Sequence, residues 1–317
     1  MTAGILVSDR VVSDAGPALR EAAGDFSLLV LRPEATLADP ERAEIAYFSG
    51  DLFPARAREF VLALVKAEGL RWLHVFSAGV DHPWFQQLLA RGVRITTSSG
   101  ASAVPIAQTV MLYLLALSRN LRKWTDAQQR RAWEPHDIVD LQQQVLGVLG
   151  MGPIGREVAR LGTALRMRVV GMTRSPKGDE PCETWPLSRL RELLPLVDWI
   201  VLALPLTNET RGILSADAIA RMKPGACVLN VGRGDLVDET ALGKALESGA
   251  LGGAGLDVFA EEPLSPESPL WSLPNVIITP HSSGTTPANY PRATAIFVEN
   301  LRRWRKGEAL VNEVVPD

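Results

Sequence analysis

At 317 residues the chain is long for one domain and suited to two. Its apolar fraction of 46% supports a sizeable core, and a net charge of −3 leaves no electrostatic footprint for nucleic acid or an anionic membrane. The longest apolar stretch, around Val110 to Leu117, is too short to span a bilayer, and Cys182 and Cys227 show no metal or redox spacing.

In chain order, Met1 to Val7 reads as a first strand, not as a signal peptide, which with the unpaired cysteines predicts a cytoplasmic protein. Strands are predicted over Gly4–Val7, Ser27–Val30, Trp72–Phe76 and Val93–Thr97, with a helix over Ala55–Ala67. A long helix, roughly Val104–Ser118, is apolar on more than one face and is expected to be buried between domains or subunits. A strand from Val145, a helix over Arg156–Leu165 and a strand over Arg168–Met172 open a second unit. Later strands are read at Trp199–Ala203, Ala226–Asn230, Gly253–Val258 and Val276–Thr279. The last helix, about Pro291–Arg305, carries Arg302, Arg303 and Arg305, with Lys306 after it, as a solvated end favoured by the helix dipole. This alternation predicts an α/β protein built from two Rossmann-like, doubly wound parallel sheets.

The first unit of chemistry is Gly150-Met151-Gly152-Pro153-Ile154-Gly155, set directly after a strand and before a helix. Its first glycine permits a tight turn, its second lets backbone approach a pyrophosphate, and its third lets helix and strand pack closely. The helix N-terminus then presents free N–H groups to phosphate. The following strand ends in Met172-Thr173-Arg174-Ser175, with Lys177 just beyond and no acidic residue at the strand end. An acid there would bind a ribose 2′-hydroxyl and repel a 2′-phosphate, whereas Arg174 suits the phosphate. NADP(H) is therefore favoured, with NAD(H) open as the alternative in which Arg174 is a solvated loop residue.

Three later strands end in polar segments: Asn230-Val231-Gly232-Arg233-Gly234, Leu256-Asp257-Val258-Phe259-Ala260-Glu261-Glu262-Pro263, and Thr279-Pro280-His281-Ser282-Ser283-Gly284. Beyond the carboxyl ends of parallel strands these would deliver Arg233, Asp257 or Glu262, and His281 to one crevice. With Ser77-Ala78-Gly79-Val80-Asp81 and Leu204-Pro205-Leu206-Thr207-Asn208-Glu209-Thr210-Arg211-Gly212, these motifs cover nearly the whole chain. Together they resemble the D-isomer-specific 2-hydroxyacid dehydrogenase family, and are most similar to its glyoxylate/hydroxypyruvate reductase branch.

That resemblance implies a role for each matching residue. Arg233 would hold the substrate carboxylate and carbonyl, His281 would be the general acid/base with Glu262 as its partner, and backbone near Ala78 and Gly79 would receive the carboxylate. The cofactor would lie against the glycine turn, Thr173, Arg174 and Ser175, Leu204, Pro205 and Thr210, Val231 and Gly232, Asp257, His281, Ser283 and Gly284. Asp257 would contact the nicotinamide carboxamide. The resemblance also implies a discontinuous, flavodoxin-like substrate domain (residues 1–98 with 285–317), a dinucleotide-binding domain (residues 99–284) and a homodimer. The partner is a small 2-oxo or 2-hydroxy acid, with no nucleic acid, membrane or metal.

The chemistry asks for the same residue types. Reduction of a 2-oxo acid needs a hydride at the carbonyl carbon and a proton at its oxygen; a positioned histidine acid contributes roughly 10²–10⁴-fold. A carboxylate on the far ring nitrogen orients the imidazole, and an arginine fork matches a planar carboxylate.

Each residue also has an ordinary alternative. His281 could be a satisfied loop histidine, as His74 (strand core), His82 and His136 (surface) are expected to be. Arg233 could neutralise Asp235 or Asp238, Glu262 could cap local backbone, with Glu261 as the exposed acid, and Trp133 could be simple packing. Two departures from the family stand out: Ile106-Ala107-Gln108 replaces its usual Val-Ala-Glu, and Trp133–Gln144 lacks the glycine- and lysine-rich lead-in. Leu52, Phe53 and Trp84 are candidates for shaping the pocket. Glu262 argues against formate chemistry, which uses glutamine there; a phosphite-type dehydrogenase and a non-enzymatic dinucleotide sensor of the same fold stay open.

Overall fold

The computed structural model describes residues 3–33, 37, 39–80 and 82–314. Asp81, the last residue of the Ser77-Ala78-Gly79-Val80-Asp81 motif, lies outside the described residues. The chain divides into two compact units, residues 1–101 with 286–317, and residues 102–285.

The first unit holds β1 (Gly4–Ser8), α1 (Asp9–Ala23), β2 (Ser27–Leu31), β3 (Ala43–Phe48), α2 (Ala57–Lys66), β4 (Trp72–Val75), α3 (Pro83–Ala90) and β5 (Arg94–Thr97). The last helix of the chain (Asn289–Lys306) returns to it. The strands pair in parallel in the order β2-β1-β3-β4-β5, the flavodoxin-like order. Helices cover both faces, so the strands read as nearly continuous apolar runs. Leu6, Ala46, Leu73, Val75 and Ile95 pack with Phe60, Leu64 and Leu88 on one face. Ile5, Val7, Ile45, Tyr47 and Trp72 meet Leu19, Phe297 and Leu301 on the other.

Three features here differ from the sequence reading. α1 carries Gly16 and Pro17 and leaves helical geometry at Ala15 (φ −130°), so its periodic signal is broken. The central strand β3 is alanine-rich and polar at Glu44, which hides it from propensity. The basic end of the last helix is stitched, not merely solvated: Arg302 Nη2 donates to Glu21 Oε2 (3.0 Å) and Arg305 Nη1 to the Glu21 carbonyl (3.2 Å).

The second unit holds α4 (Ala103–Ser118), α5 (Leu121–Gln129), β6 (Val145–Leu149), α6 (Pro153–Ala164), β7 (Arg168–Thr173), β8 (Glu183–Pro186), α7 (Leu190–Leu193), β9 (Trp199–Leu202), α8 (Ala216–Ala220), β10 (Cys227–Asn230), α9 (Glu239–Glu247), β11 (Gly253–Leu256) and β12 (Val276–Ile278). With α10 (Asn289–Lys306) of the first unit these complete the α-helices and strands of the described residues. The seven-stranded sheet is parallel throughout, in the order β12-β11-β10-β9-β6-β7-β8. This is the doubly wound dinucleotide-fold order with one strand added, and the order reverses between β6 and β9. Two apolar layers sandwich it, one built on Leu149, Val170, Ile200 and Val228 and the other on Leu146, Val148, Val201 and Leu229. Among the described residues no helix is long and apolar enough to cross a membrane.

Candidate active site

The glycine turn stands at the end of β6, where the strand order reverses. Gly150 adopts φ +103°, a region L-residues avoid, and its amide donates to the Met172 carbonyl (2.8 Å). A Cβ on Gly155 would lie 1.8 Å from the Gly150 carbonyl oxygen, so only glycine lets α6 seat against the turn. A Cβ on Gly152 would meet nothing within 4 Å, so that side of the turn is open backbone. Gly152 is also the N-cap of α6 and gives it no side-chain cap, with Pro153 at the first turn. The uncapped amides beside an open, Cβ-free cradle fit a phosphate, so these residues suit a dinucleotide.

Around this turn the other predicted positions line one edge of one sheet. Thr173, Arg174 and Ser175 close β7, and Leu204, Pro205 and Thr210 follow β9. Val231, Gly232 and Arg233 follow β10, Asp257 and Glu262 follow β11, and His281, Ser283 and Gly284 follow β12. Ala78 and Gly79 follow β4 in the other unit, where Ser77 Oγ donates to the Gly79 carbonyl (2.8 Å) and fixes that loop.

Local hydrogen bonds aim the polar residues. Buried Asn230 accepts from the Gly232 amide (3.1 Å) and donates from Nδ2 to the Arg233 carbonyl (2.9 Å), folding the loop that carries Arg233. Arg233 Nη1 donates to the Gly232 carbonyl (2.8 Å). Asp235 and Asp238, its imagined neutralisers, are engaged elsewhere: Asp235 pairs with Arg211, and Asp238 accepts the Ala241 amide (2.9 Å) as the cap of α9. A Cβ on Gly234 would fall 1.9 Å from the Phe259 carbonyl carbon, so glycine there lets the β10 and β11 loops touch backbone to backbone.

Glu262 does two things at once. Its Oε1 accepts the Phe259 amide (3.0 Å), the capping alternative, while Oε2 sits 2.8 Å from His281 Nδ1. His281 has φ +49°, uncommon for a residue other than glycine, and is fastened there by its amide donating to the Asp257 (2.8 Å) and Thr279 (3.0 Å) carbonyls. With Nδ1 on Glu262 and the side chain 52% exposed, Nε2 is the nitrogen left to face a ligand.

Asp257 is almost fully buried and holds the His281 loop by its carboxylate. It accepts the Ser282 (2.8 Å) and Ser283 (3.0 Å) amides and the hydroxyls of Thr279 and Ser283. Those donors take up most of its lone pairs, so any carboxamide contact would share oxygens already in use. Tyr113 extends this network to α4 through the Thr279 hydroxyl, and burial pushes its phenol up to about 12. Sequence reasoning passed over Asn230 and Tyr113. The signal for Tyr113 was Gly255, where a Cβ would lie 2.4 Å from the Tyr113 ring.

Arg174 meets an unexpected partner: its Nη2 lies 3.1 Å from Glu209 Oε2. Trp133 is 99% exposed, which rules out packing within the chain. Among the described residues no group of three or more His, Cys, Asp or Glu is placed to hold a metal ion.

Residues 111–283 match the sequence profile of the D-isomer specific 2-hydroxyacid dehydrogenase NAD binding domain. The chain is 34% identical to a glyoxylate reductase from Aeropyrum pernix, over 79% of this chain and 78% of that protein. It is 34% identical to a D-3-phosphoglycerate dehydrogenase from Methanocaldococcus jannaschii over 78% of this chain, and spans only 48% of that longer relative. The fold matches an NADPH-dependent glyoxylate/hydroxypyruvate reductase from Sinorhizobium meliloti, solved with NADP and sulfate, with a TM-score of 0.79, 28% identity, and 99% and 98% of the two chains covered. The chain belongs to the D-isomer specific 2-hydroxyacid dehydrogenase family, NAD(P)-dependent oxidoreductases that transfer hydride.

Proposed function

We propose that this protein reduces a small 2-oxo acid, of the size of glyoxylate or hydroxypyruvate, to the D-2-hydroxy acid with NADPH as the favoured reductant. The observation that carries the reading is the 2.8 Å His281–Glu262 pair, set on the same sheet edge as Arg233 and the glycine turn. The names of the similar reductases support the substrate size.

When bound, the dinucleotide supplies the hydride for the carbonyl carbon. The glycine turn and the α6 N-terminus would hold its pyrophosphate, and Arg174 its 2′-phosphate. Arg233 binds the substrate carboxylate and leans on the carbonyl oxygen, meeting the charge that develops there. His281 Nε2 gives the proton to that oxygen, and Glu262 steadies the imidazolium and sets the ring's direction. Asp257 acts by holding the His281 loop. The net change is 2-oxo acid plus hydride plus proton to 2-hydroxy acid.

We also propose a homodimer formed through α4 and α5. Leu112, Leu115, Leu121 and Trp124 on these helices, with Trp133, Ile138 and Val139 in the segment that follows, are large apolar side chains left exposed. A cytoplasmic location is in keeping with two free cysteines.

The test is loss of reduced-nicotinamide absorbance with NADPH and NADH in parallel, against glyoxylate, hydroxypyruvate, pyruvate and a larger 2-oxo acid. Faster turnover of a small oxo acid with NADPH is expected. A rise in reduced-nicotinamide absorbance from NAD(P)+ with phosphite, without turnover of any 2-oxo acid, would replace the reading with a phosphite-type enzyme, and cofactor binding with no turnover in either direction would replace it with a sensor.

A further inference from the structure

We propose that Glu209 sets the cofactor preference by competing with the ribose 2′-phosphate for the Arg174 guanidinium. The inference rests on the reading that Arg174 receives that phosphate.

Strand β6 lies between β7 and β9, so the loops leaving β7 and β9 flank the glycine turn. Arg174 is the first residue past β7, and Glu209 stands in the loop after β9. Their ion pair, 3.1 Å long, therefore reaches from one side of the dinucleotide cradle to the other.

Both loops are braced from within. After β7, the Glu180 carboxylate accepts the Lys177 (2.9 Å) and Gly178 (2.8 Å) amides. Arg156, in the first turns of α6, ties the same loop to the glycine turn: Nε donates to the Met151 carbonyl (3.1 Å) and Nη1 to the Asp179 carbonyl (2.9 Å). After β9, Thr210 Oγ1 donates to the Pro205 carbonyl (2.7 Å) and accepts the Thr207 amide (2.8 Å). With the backbones fixed, Arg174 and Glu209 answer a ligand by side-chain rotation and not by loop movement.

The pair itself is weakly held. The two side chains are 72% and 69% exposed, so water and salt screen their attraction. A phosphate dianion offers more charge and a better match to the guanidinium fork than one carboxylate does. NADPH would therefore take Arg174 from Glu209 and leave that carboxylate facing the phosphate. NADH carries a hydroxyl at that position, leaves the pair intact, and feels Glu209 little. Glu209 thus penalises the phosphorylated cofactor selectively, which keeps NADH within reach of a site whose strand end is otherwise basic.

Calorimetric titration with adenosine 2′,5′-bisphosphate and with adenosine 5′-monophosphate reads this without turnover; NADPH and NADH fluorescence titrations follow. Glu209→Gln should bind the bisphosphate and NADPH roughly two- to fivefold tighter, the upper part of the range set by an exposed charge pair. The monophosphate and NADH should stay within twofold. The gain should shrink towards unity as salt rises and should be lost when Glu209→Gln is combined with Arg174→Ala. Equal tightening of both adenosine probes, or no tightening of the bisphosphate while Arg174→Ala still weakens it, would overturn the role of Glu209 alone. If Arg174→Ala leaves the discrimination between the two probes untouched, the 2′-phosphate reading fails and this inference with it.

Discussion

In the first unit His74 lies in β4 with no exposed surface, stacked on Phe297 with the Tyr47 ring tilted against it. Its Nδ1 is 2.7 Å from Thr96 Oγ1 and its Nε2 is 3.0 Å from Ser98 Oγ. The donors close in one direction. Thr96 Oγ1 accepts the Trp72 indole N–H (2.8 Å) and so turns its own hydrogen to Nδ1. Ser98 Oγ donates to the Val75 carbonyl (2.9 Å) and so accepts the Nε2 hydrogen. The network fits a neutral ring, and burial pushes this histidine down to about 3. In the second unit His281 is half exposed, has a carboxylate on one nitrogen, and holds the other nitrogen outward from a left-handed backbone. A histidine with both nitrogens spent on structure cannot move a proton at a ligand, whereas one with a single anchored nitrogen can. The difference lies in what the neighbouring loops supply, not in the residue.

The largest expected effect breaks the comparison on the catalytic side. His281→Asn should lower turnover by about 10²–10⁴-fold, the contribution of a positioned proton donor. Dinucleotide affinity, read by fluorescence titration, should change little, and thermal unfolding should match the parent. Normal turnover would remove His281 from the chemistry. A collapse in the melting temperature would make it a structural residue like His74.

The next effect is on stability, and its sign follows from linkage. His74 is neutral in the fold and titrates near 6.5 once unfolded, so below that pH the unfolded chain binds the extra proton. The contribution is fully present above pH 6.5 and is lost as pH falls from there towards about 3. The slope is about 1.4 kcal/mol per pH unit from this one group. Denaturant unfolding at pH 7, 6, 5 and 4 should show that slope in the parent. His74→Gln should be less stable at pH 7 but should lose less on acidification. Parallel curves for the two would show that the burial of His74 does not govern acid sensitivity.

Much of this was readable from the sequence because it is local. The glycine turn, the strand before it and the helix after it sit within one stretch of chain, and Arg233, Glu262 and His281 each follow a recognisable strand. What sequence could not supply is contact between segments far apart in the chain. Glu209 meets Arg174 across 35 positions, and the Asp257 carboxylate is absorbed by Ser282 and Ser283 once β11 and β12 align. The first unit was less legible for a different reason: Gly16 and Pro17 interrupt the pattern of α1, and the alanine-rich β3, broken by Glu44, gains its strand from neighbours β1 and β4. His74 was readable as a core histidine from its apolar strand, but the hydroxyls that satisfy it come from β5 and the residue after it.

Glu262→Gln sharpens the comparison from the partner's side. Glutamine keeps the shape and can still accept the Phe259 amide, but offers no charge to an imidazolium. Turnover should fall on the order of 10²-fold, the low end of what positioned proton transfer contributes. The melting temperature should barely move, because the side chains are 36% and 52% exposed. A large loss of stability with unchanged turnover would make Glu262 a cap for Phe259 and nothing more.

The smallest effect is the mirror of that variant. Thr96→Val keeps the volume of a side chain buried in β5 but removes the hydroxyl between Trp72 and His74. Two buried polar atoms, the indole N–H and Nδ1, are then left without their partner, at a cost of roughly 1–3 kcal/mol each. Turnover per folded molecule at neutral pH should stay within about twofold, since general acid/base work resides at His281 in this reading. Denaturant midpoints and steady-state rates on the same preparations decide it. If Thr96→Val costs activity out of proportion to stability, His74 is coupled to the reaction after all, and the division between a structural and a reactive histidine would have to be redrawn.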